Sequence, residues 1–503
     1  MQRRIPFLLS RRGVVALAAG AGLVLGTAGV ASAQVRTADT GIGTWHKAVE
    51  VAGSAALNTG GGAGIGSVSC AASGDCLAAG AFSTPGYHNH PFLVSQVRGK
   101  WGRAQRVLGM GGLDRGNQAS ISSVSCSSPG NCTIGGSYRD GSGHTHAWVA
   151  SQVRGKWARA HQLPGLAALN KGNGSSLSSL SCISIGNCTA DGGYTDSQHH
   201  GQGFVVSEVK GTWHDVQAVP GLAALATAGT AIIGPLSCRS AGNCSAGGKY
   251  EDGPFSYDAY VVSQVRGTWG QAEPVPGLKA LNTGGTAAVN SLACGSPGNC
   301  VAGGIYGDVP GDRFTFIVSQ VHGTWGTAQQ VPGMAALGTG GYGEVDTVAC
   351  STAGSTAGNC AAGGIAGDNN GFDVNGGGQA FVATEANGTW GPARLLPGTA
   401  RLNSGADGGT TTLSCPRPGD CTAAGYYGVG TADNKVYNLE LFVDSQAGGK
   451  WGQAEEIPGT AALNRTHWAG PGQVSCPAPD QCSTGGSYSD RKDHGQAFVV
   501  SQN

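Results

Sequence analysis

Trp45, Trp101, Trp157, Trp213, Trp269 and Trp325 stand 56 residues apart, and Trp390 and Trp451 extend the series after 65 and 61. Twenty-five positions beyond each lies the first member of a cysteine pair. The pairs are Cys70 and Cys76, Cys126 and Cys132, Cys182 and Cys188, Cys238 and Cys244, Cys294 and Cys300, Cys350 and Cys360, Cys415 and Cys421, and Cys476 and Cys482. All 16 cysteines are used, and eight repeats result. A period of this length marks units that bury their faces against copies of themselves.

Within the second repeat, Ser122–Cys126 and Cys132–Tyr138 read as strands A and B across a Ser-Ser-Pro-Gly-Asn turn. His146–Ser151 begins strand C. Arg154-Gly155 is a two-residue hairpin signal, and Trp157–Leu163 is strand D. A Pro-Gly then opens a longer connection, Leu166 to Asn170. Four antiparallel strands per unit predict a β-propeller blade. The first unit is preceded by a lone strand D at Trp45, and the eighth runs only through A, B and C. Pairing that first strand with the last three closes a ring, whereas a linear solenoid would need caps. The expectation is all-β: a single eight-bladed propeller over residues 44–503.

Glycine, at 90 of 503 residues, has no collagen period, and the tryptophans and cysteines do not fit a disordered chain. Residues 1–33 read as an export signal, Sec or twin-arginine, with Arg3, Arg4, Arg11 and Arg12 before an apolar run and Ala31-Ser32-Ala33 at its end. Residues 34–43 are a short N-terminal segment. Removing the signal leaves 26 basic against 30 acidic residues, with no basic stripe, so nucleic acid is not an expected partner. No later apolar run is long enough to span a membrane. The expected product is exported, soluble and monomeric.

Phe82, Tyr138, Tyr194, Tyr250, Tyr306, Tyr427 and Tyr488 follow the second cysteine by six, with Ala366 in the sixth repeat. Strand C carries Phe92, Trp148, Phe204, Tyr260, Phe316, Phe381, Phe442 and Phe498. These rings are expected between neighbouring sheets, each burial contributing about 1.5–3 kcal/mol. The cysteine pairs read as disulfides or metal ligands; export favours disulfides, each worth about 2 kcal/mol over so short a loop.

The glycine doublets ending strand B (Gly135-Gly136, Gly192-Gly193, Gly247-Gly248, Gly303-Gly304, Gly363-Gly364, Gly485-Gly486), followed by tyrosine and then tryptophan, resemble the kelch repeat. The S-[VL]-[SA]-C and G-[ND]-C-x-A-x-G patterns look like cysteine-paired repeats of secreted bacterial propellers of unassigned function. The resemblance covers residues 44–503. It implies a propeller and leaves activity open, because kelch propellers host binders and enzymes alike. Galactose-oxidase-type copper chemistry needs an unpaired cysteine, and quinoprotein dehydrogenases an adjacent cysteine pair; neither fits this chain. A sialidase Asp-box does not fit Ser151–Trp157, which lacks the aspartate.

Two features break the repeat, both on the B–C connections, which in propellers share a face with the D–A connections. His494, His88, His144 and His200 stand 12 positions after the second cysteine in four consecutive units of the closed ring, and His90 and His146 follow two residues on. They read either as an arc binding a metal, a glycan or an acidic surface, or as the echo of duplication. Sheets about 10 Å apart argue against one metal co-ligated directly between mid-blade turns, and no metal site is assigned. The sixth and seventh repeats carry B–C loops longer by five residues. In the sixth, Asp368, Asn370 and Asp373 have the oxygen chemistry for calcium or are ordinary turn residues; no other cofactor is expected.

The functional expectation is a secreted binding or scaffold protein recognising an extracellular glycan or protein through the B–C/D–A face. The alternatives are a polysaccharide-acting hydrolase or lyase, with carboxylates gathered near the central channel, and a purely structural envelope protein.

Overall fold

In the computed structural model, residues 43–309, 312–337, 342–351, 358–367, 378–405, 407–430 and 438–503 are described. Residues 1–33, read from the sequence as an export signal, and Asp368, Asn370 and Asp373 lie outside them. Contacts divide the chain into Met1–Gly41 and Ile42–Asn503, and the second unit is an eight-bladed propeller of four antiparallel strands per blade.

Blade 2 sets the pattern. Strand A is Ser120–Ser128, B is Asn131–Arg139 and C is Thr145–Val153. Strand D is expected to be continuous, but it forms two short pieces, Lys156–Trp157 and His161–Gln162. The break has a physical reason. The Ala160 N–H turns from its own sheet to the Leu108 carbonyl of the preceding blade (2.8 Å). The same bond occurs once per blade, eight in all at 2.6–3.0 Å, the other seven being Ala48→Pro458, Ala104→Ala52, Val216→Pro164, Ala272→Pro220, Ala328→Pro276, Ala393→Pro332 and Ala454→Pro397. Strand D thus serves two blades.

The turns follow their residues. In the C–D hairpin both central residues have positive φ, Arg154 at 50° and Gly155 at 78°, which matches the strand twist. The Pro-Gly after strand D leads into a single helical turn, Leu166–Leu169, whose Leu166 is buried.

Eight apolar clusters form the core, each made largely from two adjacent blades. The strand C rings are fully buried, and the tyrosines near the end of strand B share the core with them, as Tyr250 beside Tyr260 and Tyr488 beside Phe498. Of the two readings of the cysteines, disulfide and metal ligand, the disulfide is the one found. Cys70 bonds to Cys76, Cys126 to Cys132, Cys182 to Cys188 and Cys238 to Cys244. Cys294 bonds to Cys300, Cys350 to Cys360, Cys415 to Cys421 and Cys476 to Cys482. Each bridge joins A to B within its own blade, so these cysteines staple the scaffold and none is left as a thiolate for a ligand. The ring closes between the chain's ends: Val49–Glu50 pairs with Gly495–Ser501 of blade 8, and Trp45 bridges Gln502.

The serine before the first cysteine joins blades on the inner side. Ser69 Oγ accepts from Cys126 N–H (3.0 Å), Ser125 from Cys182, Ser181 from Cys238, Ser237 from Cys294, Ser414 from Cys476 and Ser475 from Cys70. Ala293 and Ala349 take this place in blades 5 and 6.

Strand A carries a bulge four residues before its cysteine, as between Val289 and Ser291. It pushes a strand A carbonyl against strand B, and the opposing residue is glycine in all eight blades. A Cβ on Gly304 would collide with the Ala288 carbonyl, and Gly80, Gly136, Gly192, Gly248, Gly364, Gly425 and Gly486 face the same obstacle. The constraint is therefore one glycine per blade rather than a doublet; Ala79, Asp191 and Ala424 occupy the residue before it.

Gly304→Ala should cost about 1–3 kcal/mol in chemical denaturation through overpacking against backbone. Gly303→Ala, whose Cβ meets first the Val345 side chain at 2.7 Å, should cost clearly less. Equal losses would refute the bulge as the cause.

Candidate functional site

The bulge residues face the central axis, so their identity decides the chemistry of the channel. An open cavity of about 750 Å³ lies along the channel wall of blades 3 to 8, and Ser178, Gly234, Asn290, Asp346 and Thr411 supply one bulge residue each from blades 3 to 7. Around blade 6 this wall becomes charged. Asn290 donates to Glu344 Oε1 (3.3 Å) and to the Val345 carbonyl (3.2 Å). Arg313, at the end of the blade 5 B–C connection, reaches Glu344 Oε2 at 3.4 Å. The Arg313 carbonyl also accepts the Gly343 N–H (2.9 Å), which fixes the connection against strand A of blade 6.

Asp346 is half-buried. Burial pushes its carboxyl up to about 8, with Glu344's charge adding and Arg313 opposing. Burial also raises the Tyr342 and Tyr426 hydroxyls. Tyr426 bonds Asp407, whose carboxyl is raised by its own burial. An arginine, two tyrosines and three carboxyl groups therefore converge where the B–C and D–A connections of blades 5 to 7 meet the channel. Neither Arg313 nor Glu344 falls at a repeat position that the tryptophan and cysteine spacing picks out. The signal in the sequence was the bulge position itself, which is serine, glycine or threonine in blades 1 to 4, 7 and 8 and changes to Asn290 and Asp346.

The histidines stand on the same face, because each B–C connection lies beside the next D–A turn. Asn89 bridges Gln118, and Thr145 bridges Gly174. Each histidine has a local neighbour. His144 Nδ1 and His146 Nε2 lie 3.6 and 3.0 Å from Asp140 Oδ2, and His200 Nδ1 lies 3.7 Å from Asp196. His90 Nδ1 is 3.7 Å from Asp114 in the following D–A turn; burial lowers its pKa, with Asp114 opposing. The His88 ring lies against Gly86, and that of His494 over Gly61. The aspartate eight positions after the second cysteine, Asp140, Asp196 and Asp490 here, is the periodic partner that the histidine spacing alone did not reveal.

A larger cleft, about 970 Å³, opens between blades 2 and 3 on the opposite face, lined by Trp157, His161, Glu208 and Trp213 among others. The wedge recurs between blades 3 and 4 (520 Å³) and between 8 and 1 (250 Å³), which marks it as a product of blade packing.

No protein-family model matches the chain, and none of the characterised proteins compared with it does. Among solved structures, an ulvan lyase is 12% identical with a TM-score of 0.45, covering 91% of this chain and 94% of its own. A protein of unknown function from Dyadobacter fermentans is 8% identical with a TM-score of 0.40, covering 92% and 99%. A Trypanosoma rangeli sialidase is 11% identical with a TM-score of 0.36; the match covers 63% of this chain and 53% of the sialidase, so about half the sialidase's length is spanned. Likenesses this distant carry nothing about activity.

The Asp346 environment predicts a pH dependence. The unfolded chain releases this proton near pH 4, whereas the folded chain holds it to about 8. Between those values the folded state binds the extra proton, so stability falls as pH rises. Asp346→Asn should flatten that decline, giving a Tm that drops less than wild type between about pH 5 and 8. Parallel Tm profiles would show that the carboxyl ionises freely.

Proposed function

We propose that this is an exported propeller that binds an extracellular glycan where the channel opens onto the B–C/D–A face. The observation that carries the reading is the stretch of channel wall at which Asn290 and Asp346 replace small residues, beside Glu344, Arg313, Tyr342 and Tyr426. Hydroxyl-rich ligands are held by such planar donors and acceptors beside aromatic faces, in a concave site on a rigid scaffold. By sequence, Asp368, Asn370 and Asp373 belong to the B–C connection of blade 6, the blade that carries Glu344 and Asp346. The histidines are assigned to the rim of the same face. Eight disulfides suit an oxidising compartment, and the basic and apolar residues 1–33 supply the export signal.

A second reading, catalysis on a polysaccharide, is favoured by one observation. Asp346, raised to about 8, holds a proton at neutral pH beside the Glu344 carboxylate. A carboxyl that keeps its proton at neutral pH can serve as the general acid in cleavage of a glycosidic linkage.

A glycan array followed by calorimetry on single hits tests the first reading. Arg313→Ala should weaken binding about tenfold or more, equivalent to about 1.4 kcal/mol, without changing the fold by circular dichroism. Absence of any glycan binding, or binding indifferent to Arg313 and Asp346, refutes it. Product formation from a bound polysaccharide that stops in Asp346→Asn would establish the second reading.

A further inference from the structure

In blade 2 the B–C connection reads Asp140-Gly-Ser-Gly-His144-Thr-His146. Asp140 Oδ1 accepts the backbone N–H groups of Ser142 (2.8 Å) and His144 (3.0 Å), and the Asp140 N–H donates to the His144 carbonyl (2.9 Å). These bonds close the turn and leave Oδ2 facing the two imidazoles. Ligand atoms from Asp140, His144 and His146 all lie within 4.8 Å of one another. Two of the separations are 3.0 and 3.6 Å. A tetrahedral ion with bonds of about 2.0–2.2 Å has ligands about 3.3–3.6 Å apart, so these two separations need shifts of only a few tenths of an ångström.

The chain contains its own controls. Blade 3 repeats the turn, with Asp196 Oδ1 accepting from Gln198 (2.8 Å) and His200 (2.9 Å), and blade 8 repeats it with Asp490 accepting from Lys492 (2.7 Å) and His494 (3.1 Å). Gln202 and Gln496 stand where blade 2 has His146. In blade 8 the Gln496 amide donates to Asp490 Oδ2 at 3.0 Å, filling the place of the second imidazole. Blade 1 keeps both histidines and has Thr84 in place of the aspartate. Among the described residues, blade 2 alone assembles a complete three-ligand set.

We infer that Asp140, His144 and His146 form a binding site for one late first-row divalent cation, zinc in the first instance, held by two imidazoles and a carboxylate with a fourth position open to solvent. Imidazole with one carboxylate suits zinc, copper and nickel better than calcium or magnesium. The side chains are 22–43% exposed, so a water or a ligand group reaches the open position. The backbone bonds to Oδ1 orient the carboxylate, as outer-shell bonds do in metal sites. The inference revises the sequence reading, which considered a histidine-bound metal only between blades, and it does not depend on the glycan site at the channel.

The test is calorimetric titration of the untagged, chelator-stripped full chain with zinc chloride, with cobalt(II) absorption as the second readout. Wild type should bind one zinc per chain and show four-coordinate cobalt bands. His146→Gln, which reproduces the side chain that blade 8 already tolerates, should lose affinity by about tenfold or more, and Asp140→Asn should do the same. Gln202→His should raise the count to two per chain, because it completes the set in blade 3. Failure of wild type to bind, affinity unchanged in His146→Gln, or a Gln202→His chain that still binds only one zinc would each overturn the inference.

Discussion

Every blade depends on its neighbours to bury its faces. The sheets are rich in glycine, alanine and serine and carry few large side chains apart from one ring on strand C, one near the end of strand B and one tryptophan on strand D. Those rings pack between sheets rather than within one. The two sets of inter-blade hydrogen bonds, N–H to carbonyl on strand D and Cys N–H to serine on strand A, run in parallel with that packing. A ring closed by the chain's two ends makes eight such interfaces, where an open array of eight units makes seven. The disulfides act inside each blade, limiting the entropy of the A–B hairpin before it meets a partner.

The strand A bulge links this scaffold to chemistry. It forces a glycine on strand B and turns one side chain per blade towards the axis. Small residues leave most of that channel neutral. Asn290 and Asp346 alter it in two neighbouring blades, where Arg313 and Glu344 add charge. A recurrent backbone irregularity thus provides one variable position per blade at the centre, and the B–C connections provide another at the rim. Blade 2 uses its rim position for Asp140, His144 and His146.

Much of the architecture was legible in the residues because repetition averages out local ambiguity. Trp45 at one end and a three-stranded last unit at the other implied ring closure. The short spacing from Cys70 to Cys76, or from Cys476 to Cys482, left little choice of partner once a bridge was assumed, and even the longer spacing from Cys350 to Cys360 keeps it. Serine before cysteine was visible as a pattern, but its role was not, since its partner is a backbone N–H 57 residues away. The glycine doublet was misleading: Gly192-Gly193 overlaps Gly135-Gly136 at one position only, and the clash with strand A identifies that position as the constrained one. Strand D read as continuous because alternation says nothing about which sheet an N–H serves.

The sequence by itself determined the number of blades, their strand order, the cysteine pairing within each and the face on which variation concentrates, since all of these are local or periodic. Tertiary structure decided what the departures from the repeat amount to. Glu344 and Asp346 are two residues of one strand until Arg313 and Tyr426 arrive from the neighbouring blades. Desolvation and nearby charge then set Asp346's proton affinity, and both depend on atoms distant in the chain. The histidines, readable as an arc across blades or as an echo of duplication, include four that lie beside a carboxylate: His144, His146 and His200 beside one in their own turn, and His90 beside Asp114 of the adjoining turn.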